Sequence, residues 1–309
     1  SYPIGGERPS GVGNFVREIV PHLKSLGCEV ATLGPVRKGE KDEADYHLGR
    51  ARILRAVGTN IPAAISFDAL AARETLVDFK PHVIVSHEPA VPNSSHTLFS
   101  AIPQRNDGKR AVAVIGQFHA SEPPNGLDWK AKGYATAARI VRRPKFYYGI
   151  PTGVTKGYMN TIEDALAGRI AVSQEATADY WYKMFPADYK VIYNGINTEA
   201  FTPEGKRFKD WGKNGEVNLF AAGRLEDERK GFEHLVIAYG LLRRAGLNNL
   251  RLNISGGHAT PMLKEIIRMG DIPDVNFLGM LPQEEFAEAY RSADVVIAPS
   301  IGGEGFNRT

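Results

Sequence analysis

The chain has 309 residues, 43% of them hydrophobic and 24% charged, with a formal net charge of +3. Those values describe an ordinary globular chain long enough for about two domains and exclude a disordered or low-complexity class. No run reaches the roughly 18 apolar residues that a membrane span needs. A single cysteine, Cys28, excludes an internal disulfide. The opening residues Ser1-Tyr2-Pro3-Ile4-Gly5-Gly6 are not a basic-then-apolar leader, so a cytosolic protein is expected.

Taken in chain order, residues 13–26 read as a helix with Phe15, Val16, Ile19, Val20, Leu23 and Leu26 on one face. Gly27 ends it, and 28–33 reads as a strand in which Cys28 packs as a small hydrophobe. Short apolar strands follow at 82–86, 111–116, 170–173 and 190–193, with helical stretches on either side of the 170–173 strand. After a Gly-, Asn- and Pro-containing segment the alternation resumes. Strands are expected at 217–222, 250–255, 275–278 and 294–298, and helices at 231–245, 261–269 and 283–292. Apolar strands alternating with helices through short loops specify an α/β fold with doubly wound parallel sheets. The two series predict two Rossmann-like lobes, 1–193 and 217–309, joined by a linker at 194–216.

Ligands in such sheets bind at the carboxyl ends of strands, which directs attention to Gly223-Arg224-Leu225-Glu226-Asp227-Glu228-Arg229-Lys230-Gly231. It leaves the 217–222 strand and enters a helix, and its Arg224 and Lys230 are suited to hold a diphosphate. A helix N-terminus already favours anions, an arginine adds a planar fork of donors, and a lysine adds a movable point charge. The bland alternative is a solvated loop whose acids, Glu226 to Glu228, pair with its own bases. Other strand-end loops carry Gln117-Phe118-His119, His87-Glu88-Pro89, Ser255-Gly256-Gly257-His258 and Gly302-Gly303-Glu304-Gly305-Phe306. Glycines at 302, 303 and 305 admit a ligand close to the backbone, and Glu304 can accept hydrogen bonds from sugar hydroxyls. His87 and His258 are given structural roles. Ser10-Gly11-Val12-Gly13-Asn14 is a glycine turn at a helix start; it lacks the third glycine of a dinucleotide fingerprint, since Val16 stands there.

Charge is unevenly spread. Residues 1–192 hold 24 Lys/Arg against 19 Asp/Glu, or +5, and residues 193–309 hold 14 against 16, or −2. Between Lys130 and Lys156 seven bases, among them Arg139, Arg142, Arg143 and Lys145, stand without one acid. Such a patch suits an anionic membrane surface, an acidic substrate or a nucleic acid. The sequence contains no Asp-x-Asp, no paired cysteine ligands and no His-Glu-x-x-His. A diphosphate-handling enzyme of this kind stabilises its leaving group with Arg, Lys and helix ends.

Together these segments resemble the nucleotide-sugar glycosyltransferases of GT-B type, family four, and within it bacterial phosphatidylinositol mannosyltransferases. The resemblance runs along most of the chain. It is carried by Ser10-Gly11-Val12, Ser86-His87-Glu88-Pro89, Gly116-Gln117-Phe118-His119 and Arg169-Ile170-Ala171-Val172-Ser173. Asn194-Gly195-Ile196, the Gly223–Gly231 turn, Arg291-Ser292-Ala293-Asp294 and the Gly302–Phe306 loop continue it in the family's order. It implies a retaining, metal-independent hexosyltransferase without a cofactor, whose donor is GDP-mannose or another nucleotide sugar. Arg224 and Lys230 would clamp the donor diphosphate, and Glu304 with the amides of Gly305 and Phe306 would grip the hexose. Leu281 falls where the family's backbone reads the nucleobase. Gly11 would lie against the diphosphate, and His119 would face the reacting sugar.

The departures from the family pattern imply a fragment. The second glutamate of the family's Glu-x7-Glu would lie three residues beyond Thr309, so the second lobe is expected to be incomplete at its C-terminus. The first strand is expected to be missing before Tyr2. The family's basic membrane-facing helix is poorly matched by residues 70–80, where Arg73 and Lys80 oppose Glu74 and Asp78. The 130–156 patch is expected to take over that contact, which would hold the protein peripherally on the inner face of the plasma membrane. The acceptor is then an anionic phospholipid such as phosphatidylinositol, or alternatively a soluble sugar or glycan. From another class, a non-catalytic two-lobed ligand-binding protein would not need the Arg224–Lys230 pair. A nucleic-acid binder would not confine its bases to one segment, and no nucleic-acid partner is expected.

Overall fold

A computed structural model describes residues 11–36, 43–56, 59–89, 94–119, 146–147, 150–151, 160–182, 186–208, 211 and 215–301. The chain divides into two compact units, Ser1–Asn194 and Gly195–Thr309.

In the first unit, helix α1 (Gly11–Ser25) turns its buried side inward at Gly13 and Phe15. The helix closes on Gly27 (φ 83°), with the Gly27 N–H donating to the Lys24 carbonyl and the Cys28 N–H to that of Leu23. This six-to-one and five-to-two pattern satisfies the last helix carbonyls. It also corrects the expected strand at 28–33: the chain there finishes the helix, Cys28 is exposed rather than packed, and β1 begins only at Leu33 (Leu33–Val36).

Strands β2 (Tyr46–Ala56) and β3 (Thr59–Ile65) were not expected. β2 runs parallel to β1 and antiparallel to β3, in register from Arg50 opposite Ile65 to Ala56 opposite Thr59. Pro62 obscures the pattern in sequence. It is tolerated because β3 is the edge of the β1-β2-β3 sheet, where a missing N–H costs no ladder bond. Helix α2 (Ala69–Phe79) starts at Asp68, whose carboxylate accepts the Ala71 N–H at 2.9 Å.

The second sheet of this unit is parallel. It contains β4 (Val83–His87) and β5 (Ala113–Phe118), then β8 (Leu166–Ala171) and β9 (Lys190–Val191), in the order β4-β5-β8-β9. Between them in sequence, β6 (Phe146–Tyr147) and β7 (Ile150–Pro151) form a small antiparallel pair of their own. Helix α3 (Ser95–Ala101) carries Phe99 into a core with Ile102, Val114, Phe118, Ile162 and Trp181. A helical stretch at 160–165 and a π turn (Gln174–Ala178) running into α4 (Asp179–Tyr182) flank β8 on both sides as expected. The strand expected at 170–173 starts earlier, however, at Leu166, where the flanking helix was expected to continue.

The second unit is a four-stranded parallel sheet, β12-β11-β10-β13. Its strands are β10 (Val217–Ala222), β11 (Leu250–Ser255), β12 (Val275–Gly279) and β13 (Val295–Val296). The helices are α5 (Phe232–Arg244), α6 (Pro261–Gly270) and α7 (Gln283–Ser292). Leu235, Val236 and Tyr239 of α5 and Leu263 of α6 bury one sheet face with Leu219, Leu252 and Ile254. The opposite face carries Phe220 and Ala222, which form a core with Ala289 of α7 and are covered by Phe208, Trp211, Leu281, Phe286 and Tyr290. The segment 194–216, read from sequence as a linker, supplies part of that cover. Phe201 lies edge-on to Phe286 and Tyr290, Trp211 lies 5.8 Å from the Phe220 ring, and Lys206 pairs with Glu288 at 2.9 Å.

Three asparagines, the buried Asn218 and Asn253 and the exposed Asn276, cross this sheet. Asn276 donates to Asn253 at 3.0 Å, and Asn253 donates to Asn218 at 3.3 Å. Parallel apolar strands have few features that prevent slippage, and a ladder of amides that match in only one register supplies one.

Candidate active site

All four strands of the second unit run the same way, so their carboxyl ends form one rim. The backbone is drawn tight there. The Gly223 N–H donates to the Ser255 carbonyl at 3.0 Å, and the Gly256 N–H donates to that of Gly279 at 2.9 Å. A Cβ on Gly256 would stand 1.6 Å from the Gly223 oxygen, so only glycine allows β10 and β11 to end this close together.

From that rim the chain enters the Arg224–Lys230 turn. Leu225 is buried and pins the turn to the core. Residues Glu228–Lys230 make one 3-10 turn, capped by Asp227. Asp227 is 6% exposed and surrounded by cations. Its Oδ2 accepts from Arg224 Nη2 at 2.8 Å and Arg229 Nη2 at 2.7 Å, and its Oδ1 accepts from Arg229 Nε at 2.9 Å. Burial penalises the Asp227 charge, but the bonds and charge of Arg229, with the charge of Arg224, outweigh it and hold the carboxyl below its ordinary range. The bland reading of this loop is therefore partly right: one acid does pair with the loop's own bases. Even so, Arg224 keeps 58% of its side chain exposed. Lys230 folds back along the turn, with Cδ 3.6 Å from the place a Gly223 Cβ would occupy.

The loop after β13 meets the same turn. The Ile301 N–H donates to the Arg229 carbonyl at 2.9 Å. Gly231, at φ 68°, lies so close to the Pro299 carbonyl that an added Cβ would be 2.1 Å from it. Leu281 follows β12 on the same rim and packs against the Phe220 cluster. Arg224, Lys230, Leu281 and the approach to the 302–306 loop are thus brought to one edge of one sheet. Glu304, Gly305 and Phe306 lie outside the described residues, as do Arg139, Arg142, Arg143 and Lys145.

In the first unit the residues gather at the carboxyl ends of β4 and β5. The His87 Nδ1 and His119 Nε2 are 3.1 Å apart. Phe15 of α1 stands edge-on to both rings, at 5.6 and 5.2 Å. Gly11 is the first residue of α1, one turn before Phe15, so the glycine turn is indeed a helix start beside these histidines. Glu88, buried and at φ 51°, accepts the His119 N–H through Oε1 at 2.5 Å. A non-glycine residue held in the left-handed region is a strained feature that clusters at functional sites. Burial, reinforced by the nearby His119, pulls the His87 pKa down to about 3. His87, read from sequence as structural, and Glu88, Phe15, Asp227 and Arg229 are the residues that sequence reasoning left out. The His87-Glu88-Pro89 loop at a strand end was the available signal for two of them.

A family model described as Glycosyltransferase Family 4 matches residues 9–200, and one described as Glycosyl transferases group 1 matches residues 216–309. The chain belongs to glycosyltransferase family 4. Two curated relatives of this glycosyltransferase bear the name phosphatidyl-myo-inositol mannosyltransferase. That of Mycolicibacterium smegmatis is 25% identical over 98% of this chain and 70% of its own length. That of Mycobacterium tuberculosis is 29% identical over 98% of this chain and 71% of its own length. Among solved structures, a trehalose-6-phosphate structure from E. coli bound with UDP-2-fluoro glucose matches with a TM-score of 0.60. It shows 13% identity and is covered over 99% of this chain and 78% of that one. The fold is accordingly the mixed α/β, parallel-sheet architecture of GT-B glycosyltransferases. No described helix is long and apolar enough to cross a membrane.

Proposed function

We propose that this glycosyltransferase moves a hexose, mannose in the first instance, from a nucleoside diphosphate sugar such as GDP-mannose to an anionic phospholipid of the phosphatidylinositol type. The transfer retains the anomeric configuration and uses no metal ion. One observation carries the reading: an exposed arginine and a folded-back lysine on a single turn at the carboxyl rim of the second unit's sheet, beside the start of α5. That arrangement suits a diphosphate, because aligned helix amides and two cations stabilise negative charge that grows as the leaving group departs. The names of the curated relatives support mannose and the lipid.

In the proposed reaction the bond from the sugar C1 to the β-phosphate oxygen breaks. The acceptor oxygen attacks C1 from the same face, and its proton passes to an oxygen of the departing diphosphate. No protein nucleophile is required; positioning and charge stabilisation do the work. Arg224 and Lys230 hold the diphosphate, the Leu281 backbone meets the base, and Glu304 with the amides of Gly305 and Phe306 holds the hexose. In the first unit, His119 is assigned to the reacting sugar and Gly11 to the diphosphate.

GDP or UDP should raise the thermal midpoint of the protein, and Arg224→Ala or Lys230→Ala should each remove most of that shift. Each should lower nucleotide release from GDP-mannose on the order of a hundredfold, the usual cost of losing one charge-stabilising donor. An unchanged shift in both variants would end the diphosphate assignment. Turnover with soluble glycans but not with phosphatidylinositol would reassign the acceptor.

A further inference from the structure

Arg224 shares its carboxylate with a second arginine, and the two are not held alike. Arg229 engages Asp227 in a bidentate fork, Nε to Oδ1 at 2.9 Å and Nη2 to Oδ2 at 2.7 Å, and is 29% exposed. Arg224 reaches the same carboxylate through Nη2 alone, at 2.8 Å, and is 58% exposed. A guanidinium has five N–H donors in a fixed plane, so a single bond at Nη2 leaves four for another ligand.

We propose that Arg229 is a positioning residue that keeps Arg224 available to the substrate diphosphate by holding the Asp227 carboxylate itself. The inference rests on the reading that Arg224 binds the diphosphate. A bidentate arginine–carboxylate pair is the stronger and more directional of the two contacts, so the Asp227 charge is matched mainly by Arg229. Arg224 is then aimed by Asp227 without being consumed by it. Without Arg229, the buried Asp227 would have Arg224 as its nearest guanidinium. A buried carboxylate that loses one cation gains by closing fully on the other, which turns the Arg224 fork away from the rim and leaves the phosphates without its donors. The Asp227 carboxylate also caps the turn through the Arg229 N–H, and the Arg229 carbonyl holds the Ile301 N–H. The backbone of this turn is therefore fixed independently of the Arg229 side chain, which can be changed while those main-chain bonds persist.

The test is calorimetric titration of GDP and UDP into the unchanged protein, Arg224→Ala, Arg229→Ala and Arg229→Ala/Asp227→Asn, with circular dichroism confirming that each is folded. Arg229→Ala should weaken nucleotide binding about tenfold or more, within the range expected for a mispaired charge. The double variant should recover to within about threefold of the unchanged protein, because a neutral amide no longer captures Arg224. A purely structural role for Arg229 predicts the opposite, a double variant at least as weak as the single one, and that result overturns the proposal. So does an Arg229→Ala protein that binds as tightly as the unchanged one. If Arg229→Ala does not fold, Arg229→Lys takes its place, since an ammonium cannot form the fork, and the same recovery with Asp227→Asn is required. If Arg224→Ala binds normally, or the unchanged protein binds neither nucleotide, it is the diphosphate reading itself that falls.

Discussion

A contact of 3.1 Å between the His87 Nδ1 and the His119 Nε2 needs one N–H and one lone pair, so the two rings cannot both be imidazolium in this arrangement. His87 is the ring that stays neutral, with its pKa pulled down from 6.5 to about 3 by burial and then by His119. In the unfolded chain its imidazole titrates near 6.5, so as pH falls the unfolded state takes up the proton first. The stability that this group contributes is fully present above 6.5, is lost progressively between 6.5 and about 3, and falls no further below that. Urea midpoints measured from pH 7 to 4.5 should therefore drop more steeply for the unchanged protein than for His87→Phe, which keeps a ring against Phe15. Equal slopes would mean that His87 does not carry this dependence. His96, whose pKa burial also lowers, contributes to both proteins alike and cancels in the comparison. None of this was visible in sequence, where His87 and His119 are two histidines 32 positions apart. Arg224 and Lys230 were legible because they stand six positions apart on one local turn. Arg229 was not, because its role depends on which oxygen of Asp227 it takes.

At the scale of elements, the join between the Arg224–Lys230 turn, α5 and the loop after β13 depends on Gly231. A Cβ there would both strain a backbone at φ 68° and strike the Pro299 carbonyl. Gly231→Ala should cost about 1–3 kcal/mol of stability, the range for a non-glycine residue forced into the left-handed region. It should also reduce the thermal shift with GDP more than Gly246→Ala does, since Gly246 has the same left-handed sign of φ but open space around it. A GDP shift equal in the two variants would show that this join does not shape the ligand site. Elements were most legible where one strand carries one uninterrupted apolar run. β10 and β11 begin and end where the pattern says, as does α7. The β2–β3 pair was not legible, because Gly49 and Pro62 read as breakers and a tertiary edge position tolerates them. The strand expected at 294–298 shrinks to the exposed Val295–Val296, which among the described residues pairs with β10 alone.

For the whole molecule, the uneven charge seen in sequence follows the two units. Ser1–Asn194 carries 24 Lys/Arg against 19 Asp/Glu, or +5, and Gly195–Thr309 carries 14 against 16, or −2. If the first unit's bases meet a lipid surface, co-sedimentation with phosphatidylinositol-containing vesicles should weaken when Arg139, Arg142 and Arg143 are all changed to Gln, and should weaken with added salt. Vesicle binding indifferent to those three changes would remove the patch from the lipid reading. The α/β class and the alternation were legible from period and punctuation alone. The 194–216 segment shows the limit of that approach. Its Gly, Asn and Pro content reads as connection, yet Phe208 and Trp211 pack on the second unit's sheet and Phe201 packs on α7. Local composition records how a backbone turns but not which surface its aromatic residues find.

The closing turn of α1 has a practical consequence. It leaves the chain's one thiol, Cys28, exposed just past the end of a 15-residue helix. That helix spans about 22 Å from Gly11. A maleimide dye would attach there and nowhere else, without any substitution, and well away from the histidines at the other end. The protein thus carries its own labelling handle, on the first unit, for fluorescence measurements of donor and lipid binding.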